Sequence, residues 1–305
     1  MLAFIFWVQV FFLAAFFAST FALFLGTSRS PGWLMLFASP AFILFPAMNP
    51  IGGMRKEIMV LAVVALLGIV VRFRPPPIFA LVPYLLFAVS AFSHESAALA
   101  TPVLIYLVWI GTRNGTFTKS HRIMGTTYLL LIVTRAVFVA AIFPGTTTQT
   151  KMICDSWRGI GVREALCGGP IESLALTRQD AIQQVQLAFP GYSNYLALAL
   201  LALIPLAAIG ARKQFWWLTG ITYLCLIPLF ILGLDYGRWI YLATSLLSIA
   251  ALATWREADL RPWKVPELVA VVFVLLWSLP YTGGVGQDPL LTRGIALLMQ
   301  TMGPH

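Results

Sequence analysis

Charged residues are scarce in this chain. Asp, Glu, Lys and Arg make up 10% of its 305 residues, whereas 60% are hydrophobic. A soluble domain carries about 25% charged residues. The sequence also lacks a Gly-rich phosphate loop of the Walker type, and no polar stretch is long enough for a nucleotide-binding domain. These absences exclude an ordinary soluble enzyme and argue against an ATP-driven pump.

Apolar runs of spanning length recur along the chain. They predict an all-α, polytopic transmembrane helical bundle of about ten spans, with residues 1–305 as a single integral membrane domain. The predicted spans are 3–25, 33–49, 58–71, 77–93, 97–111, 124–143, 192–210, 214–233, 237–254 and 266–282. A charge-rich insertion, about 144–191, is predicted to be an extracytoplasmic loop with short helices. Within it, Thr177 and Asp180 have the spacing of a helix N-cap and its third position.

Basic residues are unequally divided between the two alternating sets of loops. The richer set predicts the cytoplasmic side. It comprises Arg29, Arg72, Arg74, Arg113, Lys119, Arg122, Arg212, Lys213, Arg256, Arg261 and Lys264. Both termini are then extracytoplasmic. The first run lacks a basic flank and a cleavage site, so we expect a retained helix. The net charge of +9 fits retention near anionic lipid in a bacterial inner membrane, and nothing resembles a nucleic-acid module.

Cysteine is rare, with three residues in the whole chain. Cys154 and Cys167 both fall in the predicted outer loop, where an oxidising compartment permits a disulfide. Cys225 falls within a predicted span. A zinc pair is the alternative, but two thiols without a nearby His or second Cys pair make a poor tetrahedral site. We therefore favour the disulfide, and we predict no bound metal and no cofactor.

Two polar turns interrupt the apolar pattern at predicted span ends. They are Ser93-His94-Glu95-Ser96 and Gly233-Leu234-Asp235-Tyr236-Gly237-Arg238-Trp239. A charge at membrane depth costs about 2.5–3.5 kcal/mol on insertion scales, so ionisable groups there indicate a functional site. Helix-end charges that snorkel to headgroups or pair for stability are the alternative. We predict that His94, Glu95, Asp235 and Arg238 surround one outward-facing cavity.

The residue types in these turns suit sugar transfer from a lipid-linked sugar diphosphate. Glu95 or Asp235 would act as general base on an acceptor hydroxyl, and His94 would orient or share the proton. Arg238 and the intramembrane Arg135 would bind the diphosphate. No ATP is required, because the diphosphate is itself the leaving group.

The chain pairs a His-Glu turn with an Asp-aromatic-Gly-Arg-Trp turn, in about ten helices with one sizeable outer loop. In this pattern it resembles the bacterial O-antigen and exopolysaccharide polymerases of the Wzy and EpsG type, which are distantly similar to GT-C membrane glycosyltransferases. The resemblance implies a polymerase that uses polyprenyl-diphosphate-linked sugars at the outer face of the cytoplasmic membrane, with polysaccharide-assembly proteins as partners. It implies a substrate-binding set of Arg238, Arg135, Tyr236 and the outer-loop residues Arg158 and Arg163. The Asp-x-Asp and Glu-Asp signatures of many GT-C enzymes are missing, which points to a metal-independent reaction.

Two other functional classes stay open. A carrier or flippase for a lipid-linked or anionic solute would use Arg135, Asp235 and Arg238 as gating charges. Transport favours polar groups near mid-depth and on both faces, whereas the polar turns share one predicted face. A scaffold subunit of a membrane complex would use the charges for contacts between subunits. A zinc protease is set aside because Glu95 is followed by Ser96-Ala97-Ala98, without the second histidine of that motif.

Overall fold

The computed structural model describes residues 2–49, 56–93, 95–142, 146–158, 176–192, 194–211, 213–255, 263–280 and 288–302. Its α-helices, numbered in chain order, are α1 Leu2–Leu25, α2 Pro31–Phe37, α3 Phe45–Met48, α4 Glu57–Phe73, α5 Leu81–Ser93, α6 Thr101–Arg113, α7 Lys119–Ile142, α8 Thr147–Arg158, α9 Arg178–Tyr192, α10 Asn194–Ala208, α11 Lys213–Leu232, α12 Tyr236–Thr254, α13 Glu267–Leu276 and α14 Leu290–Met302. Two 3-10 helices, Pro77–Ala80 and Glu95–Ala100, precede α5 and α6. The described ranges contain no strand, and the predicted all-α class is confirmed for them.

Among the described residues, three helices are long and apolar enough to cross a membrane. They are Phe6–Leu25, Lys119–Val139 and Lys213–Leu232, within α1, α7 and α11. Helices α9 and α10 qualify only as a pair, and they are bent by 84° at the break between them. Helices α5, α6 and α13 belong to apolar helical stretches that are shorter. The apolar helices indicate a membrane protein, but the ten predicted spans are not confirmed.

Helices α4 and α12 lie side by side at the centre of the bundle. All residues from Trp239 to Ala253 of α12 are buried, and so is most of α4. A helix that is apolar all round belongs in an interior. The two helices run parallel, because Glu57 meets Arg238 where they begin and Gly68 packs on Ala253 further along. A Cβ at Gly68 would lie 3.1 Å from the Ala253 Cβ, so glycine permits this close approach.

The outer helices turn large apolar side chains toward the surroundings. On α7, Leu131 is 64% exposed and Phe138 is 63% exposed, and on α13 Leu268 is 73% exposed. A soluble monomer rarely exposes apolar surface this widely. Hydrocarbon, unlike water, solvates such side chains at no cost, so the exposure fits a bundle surrounded by lipid.

Basic residues gather at the end of the bundle where α1, α4 and α12 terminate. Arg72 of α4 joins all three, because its guanidinium donates to the Trp255 carbonyl at 2.7 Å and also to the Gly26 carbonyl. Helix α11 begins here, with Phe215 packed on Trp255. The described members of the predicted cytoplasmic set belong to this end, namely Arg29, Arg72, Arg74, Arg113, Lys119, Arg122, Lys213 and Lys264. Arg212, Arg256 and Arg261 lie outside the described residues.

The predicted second span, 33–49, is wrong as a single helix. The chain instead forms the seven-residue α2 and the four-residue α3, joined by a non-helical turn at 38–44. Pro40 and Pro46 explain the break, because proline removes a backbone donor and clashes with the preceding helical turn. The turn is nevertheless buried, and Ser39 is 0% exposed. We call residues 31–48 the broken segment.

Part of the predicted outer loop, 144–191, is helical and contains α8 and all of α9 except its last residue. The Asp180 amide donates to the Thr177 hydroxyl oxygen at 3.2 Å, and the Thr177 amide donates to the Asp180 carboxylate at 3.1 Å. This reciprocal bonding confirms the predicted helix start. Hydrogen bonds from the Thr177 hydroxyl and amide lower the pKa of the Asp180 carboxyl below its ordinary value. Residues 159–175 lie outside the described part of the chain.

Candidate functional site

Three charged side chains meet where α4 and α12 begin. The Arg238 Nε lies 3.2 Å from Oε1 of Glu57, and its Nη2 lies 2.8 Å from Oδ2 of Asp235. The side chains of Glu57, Arg238 and Asp235 are 3%, 12% and 25% exposed, respectively. We call these three residues the charged cluster.

Helix starts supply both carboxylates of the charged cluster. Asp235 is the N-cap residue of α12, yet its side chain makes no cap bond and turns instead to Arg238, one turn further on. Residues three apart on a helix lie on one face, which makes this contact possible. Glu57 stands in the first turn of α4. The partial positive charge at a helix N-terminus favours an anion at each position.

Two carboxylates share one guanidinium in this cluster. Bringing an ion out of water costs several kcal/mol, and the opposite charge offsets that cost only when the partners are held in good geometry. The two carboxylates of the cluster differ in exposure, because Glu57 is buried and Asp235 is partly exposed. A fixed carboxylate with access to its surroundings can take a proton or a hydrogen bond from a substrate hydroxyl.

Aromatic packing shapes the turn before Asp235. A Cβ on Gly233 would lie 2.7 Å from Cη2 of Trp239, so any larger residue displaces the indole. The Tyr236 hydroxyl donates to the Phe230 carbonyl at 2.7 Å, which ties the start of α12 to the end of α11. Phe230 also packs edge-to-face on Trp239, with 5.4 Å between ring centroids. The charged cluster therefore adjoins a closely packed aromatic group.

A second arginine reaches the same end of the bundle from α14. Arg293 donates from Nη1 to the Met48 carbonyl at 3.0 Å. Met48 ends α3, and Phe45 of that helix stacks on Tyr241, 4.3 Å between centroids. Tyr241 follows Arg238 by one helical turn. Sequence reasoning misses Arg293, although a single cation in an otherwise apolar tail is a usable signal.

Sequence reasoning also misses Glu57. This residue follows Lys56, so it resembles the end of a polar loop. The useful signal is the apolar run that follows it, Ile58–Val71, which has too few polar residues for a surface helix. An acidic residue at the first position of a fully buried helix is buried with that helix, and Glu57 is 2% exposed.

Only some of the predicted site residues have described side chains. Asp235, Tyr236 and Arg238 lie together at the start of α12. His94, Arg163 and Cys167 lie outside the described residues, and the backbone alone is described for Glu95 and Arg158. The roles predicted for these residues stay predictions.

The backbone of Glu95 begins the 3-10 helix that packs against α4 and α11. The chain reverses between Phe73 and Leu81, so α5 returns toward the end of the bundle where Glu57 begins α4. This places Ser93, the last residue of α5, toward that end. The two polar turns thus share one end at the level of the backbone, while the single cavity stays a prediction.

Arg135 lies on the peripheral helix α7 and is exposed. It forms no ion pair with any residue in the described ranges. Its exposed neighbours Leu131 and Phe138 are apolar. A guanidinium on an apolar surface of this kind needs an anionic partner. Its contribution to diphosphate binding stays a prediction.

The cysteines separate into two environments. Cys225, in α11, is a free thiol, whereas Cys154, in α8, is not among the free thiols and is 8% exposed. Cys167 lies outside the described residues. The pairing of Cys154 with Cys167 therefore stays a prediction.

No three His, Cys, Asp or Glu side chains come together as metal ligands within the described residues. Glu57 and Asp235 share Arg238 instead. That the protein acts without a metal or cofactor stays a prediction.

Comparison of the chain with protein-family models, curated proteins and solved structures finds no match. The resemblance to polysaccharide polymerases therefore depends on the two polar turns and on the helical organisation of the chain.

Proposed function

We propose that the protein transfers a sugar from a polyprenyl-diphosphate-linked donor to an acceptor hydroxyl at the outer face of a bacterial inner membrane. The charged cluster is the observation that supports this proposal. Asp235 is its most accessible carboxylate, and Arg238, which is itself paired with Glu57, fixes it from the protein side. Deprotonation of a bound hydroxyl requires a carboxylate held in place at the position of the acceptor.

The distribution of basic residues supports the proposed orientation. Cytoplasmic ends of membrane helices are enriched in Lys and Arg. The basic end of this bundle, where Arg72 joins α1, α4 and α12, is then cytoplasmic. The charged cluster lies at the opposite end, which becomes the extracytoplasmic boundary. A lipid-linked sugar presents its reactive carbon at that depth while its tail stays in the bilayer.

In the proposed reaction, the acceptor oxygen forms a bond to the anomeric carbon of the donor sugar. Asp235 takes the proton from that oxygen, and the bond between the anomeric carbon and the diphosphate breaks with its electron pair on the diphosphate. His94 and Glu95 are the second candidates for handling the proton. Arg238 positions Asp235, and it would have to exchange a carboxylate for the diphosphate to bind substrate directly. The other candidate cations for the diphosphate are Arg135, Arg158, Arg163 and Arg293.

Polymer length measured together with lipid-linked precursor, in cells that carry single variants, tests the proposal. Asp235→Asn and Glu95→Gln preserve size, so both proteins should still fold, and Asp235→Asn should melt at a somewhat lower temperature because Arg238 keeps only Glu57 as an ionic partner. One or both should lose about 10²- to 10⁴-fold in rate, the usual contribution of a general base. Arg238→Lys should also lower polymer formation, because an ammonium cannot reproduce the two-sided contact of a guanidinium. Asp288→Asn, an exposed carboxylate before α14, is the matched control.

Lost polymer with accumulated precursor in Asp235→Asn, but not in Asp288→Asn, is the expected result. Unchanged polymer in both Asp235→Asn and Glu95→Gln would remove these carboxylates from the reaction. Loss of the protein or of its partner proteins, without precursor build-up, would favour the scaffold.

A carrier is the second candidate function, because α11 and α12 bury hydroxyl groups beyond the charged cluster. Among the buried hydroxyl oxygens are those of Thr222, Tyr223, Tyr241, Thr244, Ser245 and Ser248. Polar groups at this depth are expected along a transport path. The two functions differ in their products, since a transferase releases polyprenyl diphosphate and a carrier does not.

A further inference from the structure

Several buried hydroxyl groups in this bundle bond to their own helix. The hydroxyls of Thr20, Ser90 and Thr219 donate to the carbonyl four residues earlier, at 2.7, 2.8 and 3.0 Å, respectively. This local bond satisfies a serine or threonine inside an apolar helix. A buried hydroxyl that does not form it requires another partner.

Four buried hydroxyls on α12 lack this local bond, those of Tyr241, Thr244, Ser245 and Ser248, and three of the four lie on one face. Tyr241, Ser245 and Ser248 are each 0% exposed, and their hydroxyl oxygens complete no hydrogen bond of normal geometry with any described residue, although the hydroxyls of Tyr241 and Ser245 lie near each other. Their spacing of four and then three residues places them on one face of the helix. We call these three residues the hydroxyl row.

The hydroxyl row faces the broken segment. Phe45 stacks on Tyr241 at one end, and Trp33 packs on Trp255 at the other, 6.4 Å between centroids. Tyr241 and Trp255 are fourteen positions apart, which is close to four helical turns and returns to the same face. The two serines between them therefore lie opposite the turn at 38–44.

The turn at 38–44 is non-helical backbone buried inside a bundle of apolar helices. Backbone of this kind at membrane depth is tolerated where it is buried in protein or lines water. Ser39 and Ala41 of the turn are 0% exposed. The turn thus carries two small side chains beside the larger Phe42 and Ile43, which are also buried, and the hydroxyl row carries two serines beside Tyr241.

We propose that the hydroxyl row and the turn at 38–44 form an internal water site that extends the charged cluster into the bundle. A buried water takes about three hydrogen bonds, and the row offers three hydroxyls along roughly 10 Å of helix. Tyr241 connects the site to the charged cluster, because it follows Arg238, the partner of Glu57, by one turn of α12. Water here gives protons a route between Glu57 and the interior of the bundle. The proposal depends on packing alone and applies equally to a transferase and to a carrier.

Radiolytic hydroxyl-radical labelling of the protein in lipid nanodiscs tests the water site, because radicals formed in bound water oxidise adjacent side chains. Tyr241 should be oxidised although it is fully buried, and Phe87 of α5, which is equally buried, should not. The Ser245→Ala/Ser248→Ala double variant should lose Tyr241 labelling several-fold and should melt at a lower temperature. Ser90→Ala, which removes a buried hydroxyl that is satisfied within its helix, should leave Tyr241 labelling unchanged.

Unlabelled Tyr241 in the wild-type protein would overturn the proposal. So would a double serine variant with unchanged labelling and a higher melting temperature, because alanine relieves the cost of a dry, unsatisfied hydroxyl. If the double variant does not fold, the wild-type comparison between Tyr241 and Phe87 still decides the question.

Discussion

Glu57 and Arg238 form an ion pair, with 3.2 Å between Oε1 and Nε, at the point where the two central helices begin side by side. The same guanidinium holds Asp235 at 2.8 Å. The pair therefore links the packing of α4 against α12 to the position of the proposed catalytic carboxylate. The acidic partner that completes the site comes from a distant part of the sequence.

The ion pair should show strong coupling in a double-mutant cycle. Glu57→Gln and Arg238→Met each remove one partner of a buried pair, and each should lower the free energy of unfolding by about 3–5 kcal/mol. The double variant should lose less than the sum of the two single losses, because the second change removes a group that has already lost its partner. Chemical unfolding in detergent measures all four proteins. Strictly additive losses would show that the two side chains do not interact in solution.

Arg72 should stabilise the opposite end of the bundle. Arg72→Ala removes charge-assisted hydrogen bonds to the carbonyls of Gly26 and Trp255, and hydrogen bonds to charged groups contribute about 1.5–3 kcal/mol each. Arg74→Gly is the control, since it removes a nearby positive charge at a residue with φ of +56°, a conformation that glycine adopts readily. We expect a lower melting temperature for Arg72→Ala only. Equal melting temperatures for the two variants would mean that Arg72 acts through its charge alone or not at all.

Gly233 should tolerate no side chain while Trp239 keeps its position. Gly233→Ala places a methyl group against the indole, and overpacking of this kind costs about 1–3 kcal/mol. Trp239→Leu should rescue part of that loss. Gly220→Ala is the matched control on α11, where nothing lies within 4 Å of the added Cβ and alanine should stabilise the helix by about 0.5–1 kcal/mol. Thermal unfolding of the four proteins measures these effects, and a harmless Gly233→Ala would contradict the packing of this turn.

The long apolar helices follow from composition, whereas the broken segment does not. Hydropathy identifies α1, α7 and α11, because a continuous apolar run of this length has few alternatives to a helix. The same measure fails at 33–49, since it counts the apolar residues and ignores the backbone donors lost at Pro40 and Pro46. The capping box at Thr177 is recognised because its chemistry is local.

Only part of the candidate site can be predicted from the sequence. Asp235 and Arg238 stand out because they are charges at the edge of an apolar run. The sequence does not show that Arg238 is already bound by two carboxylates, because the choice of Glu57 as partner depends on how α4 packs against α12. The hydroxyl row is hidden for the same reason, since serine within a helix usually bonds to its own backbone.

Cys154 and Cys167 should form a disulfide on the extracytoplasmic side. A closed loop of this size stabilises the folded state by about 3 kcal/mol in the chain-entropy model. Thiol labelling of intact cells, with and without reductant, should detect these two thiols only after reduction, and Cys154→Ser with Cys167→Ser should abolish that signal. Free thiols at both positions without reductant would contradict the bridge, and labelling that requires permeabilised cells would contradict the orientation.

The most direct measurement of the proposed function is release of polyprenyl diphosphate by the purified protein. The protein is reconstituted in liposomes with a polyprenyl-diphosphate-linked sugar donor and its acceptor glycan, and the free polyprenyl diphosphate is quantified. The account predicts release by the wild-type protein, release reduced at least about 10²-fold by Asp235→Asn, and unchanged release by Asp288→Asn. Movement of the donor across the bilayer without any release, or equal release by the wild type and Asp235→Asn, would contradict glycosyl transfer at Asp235.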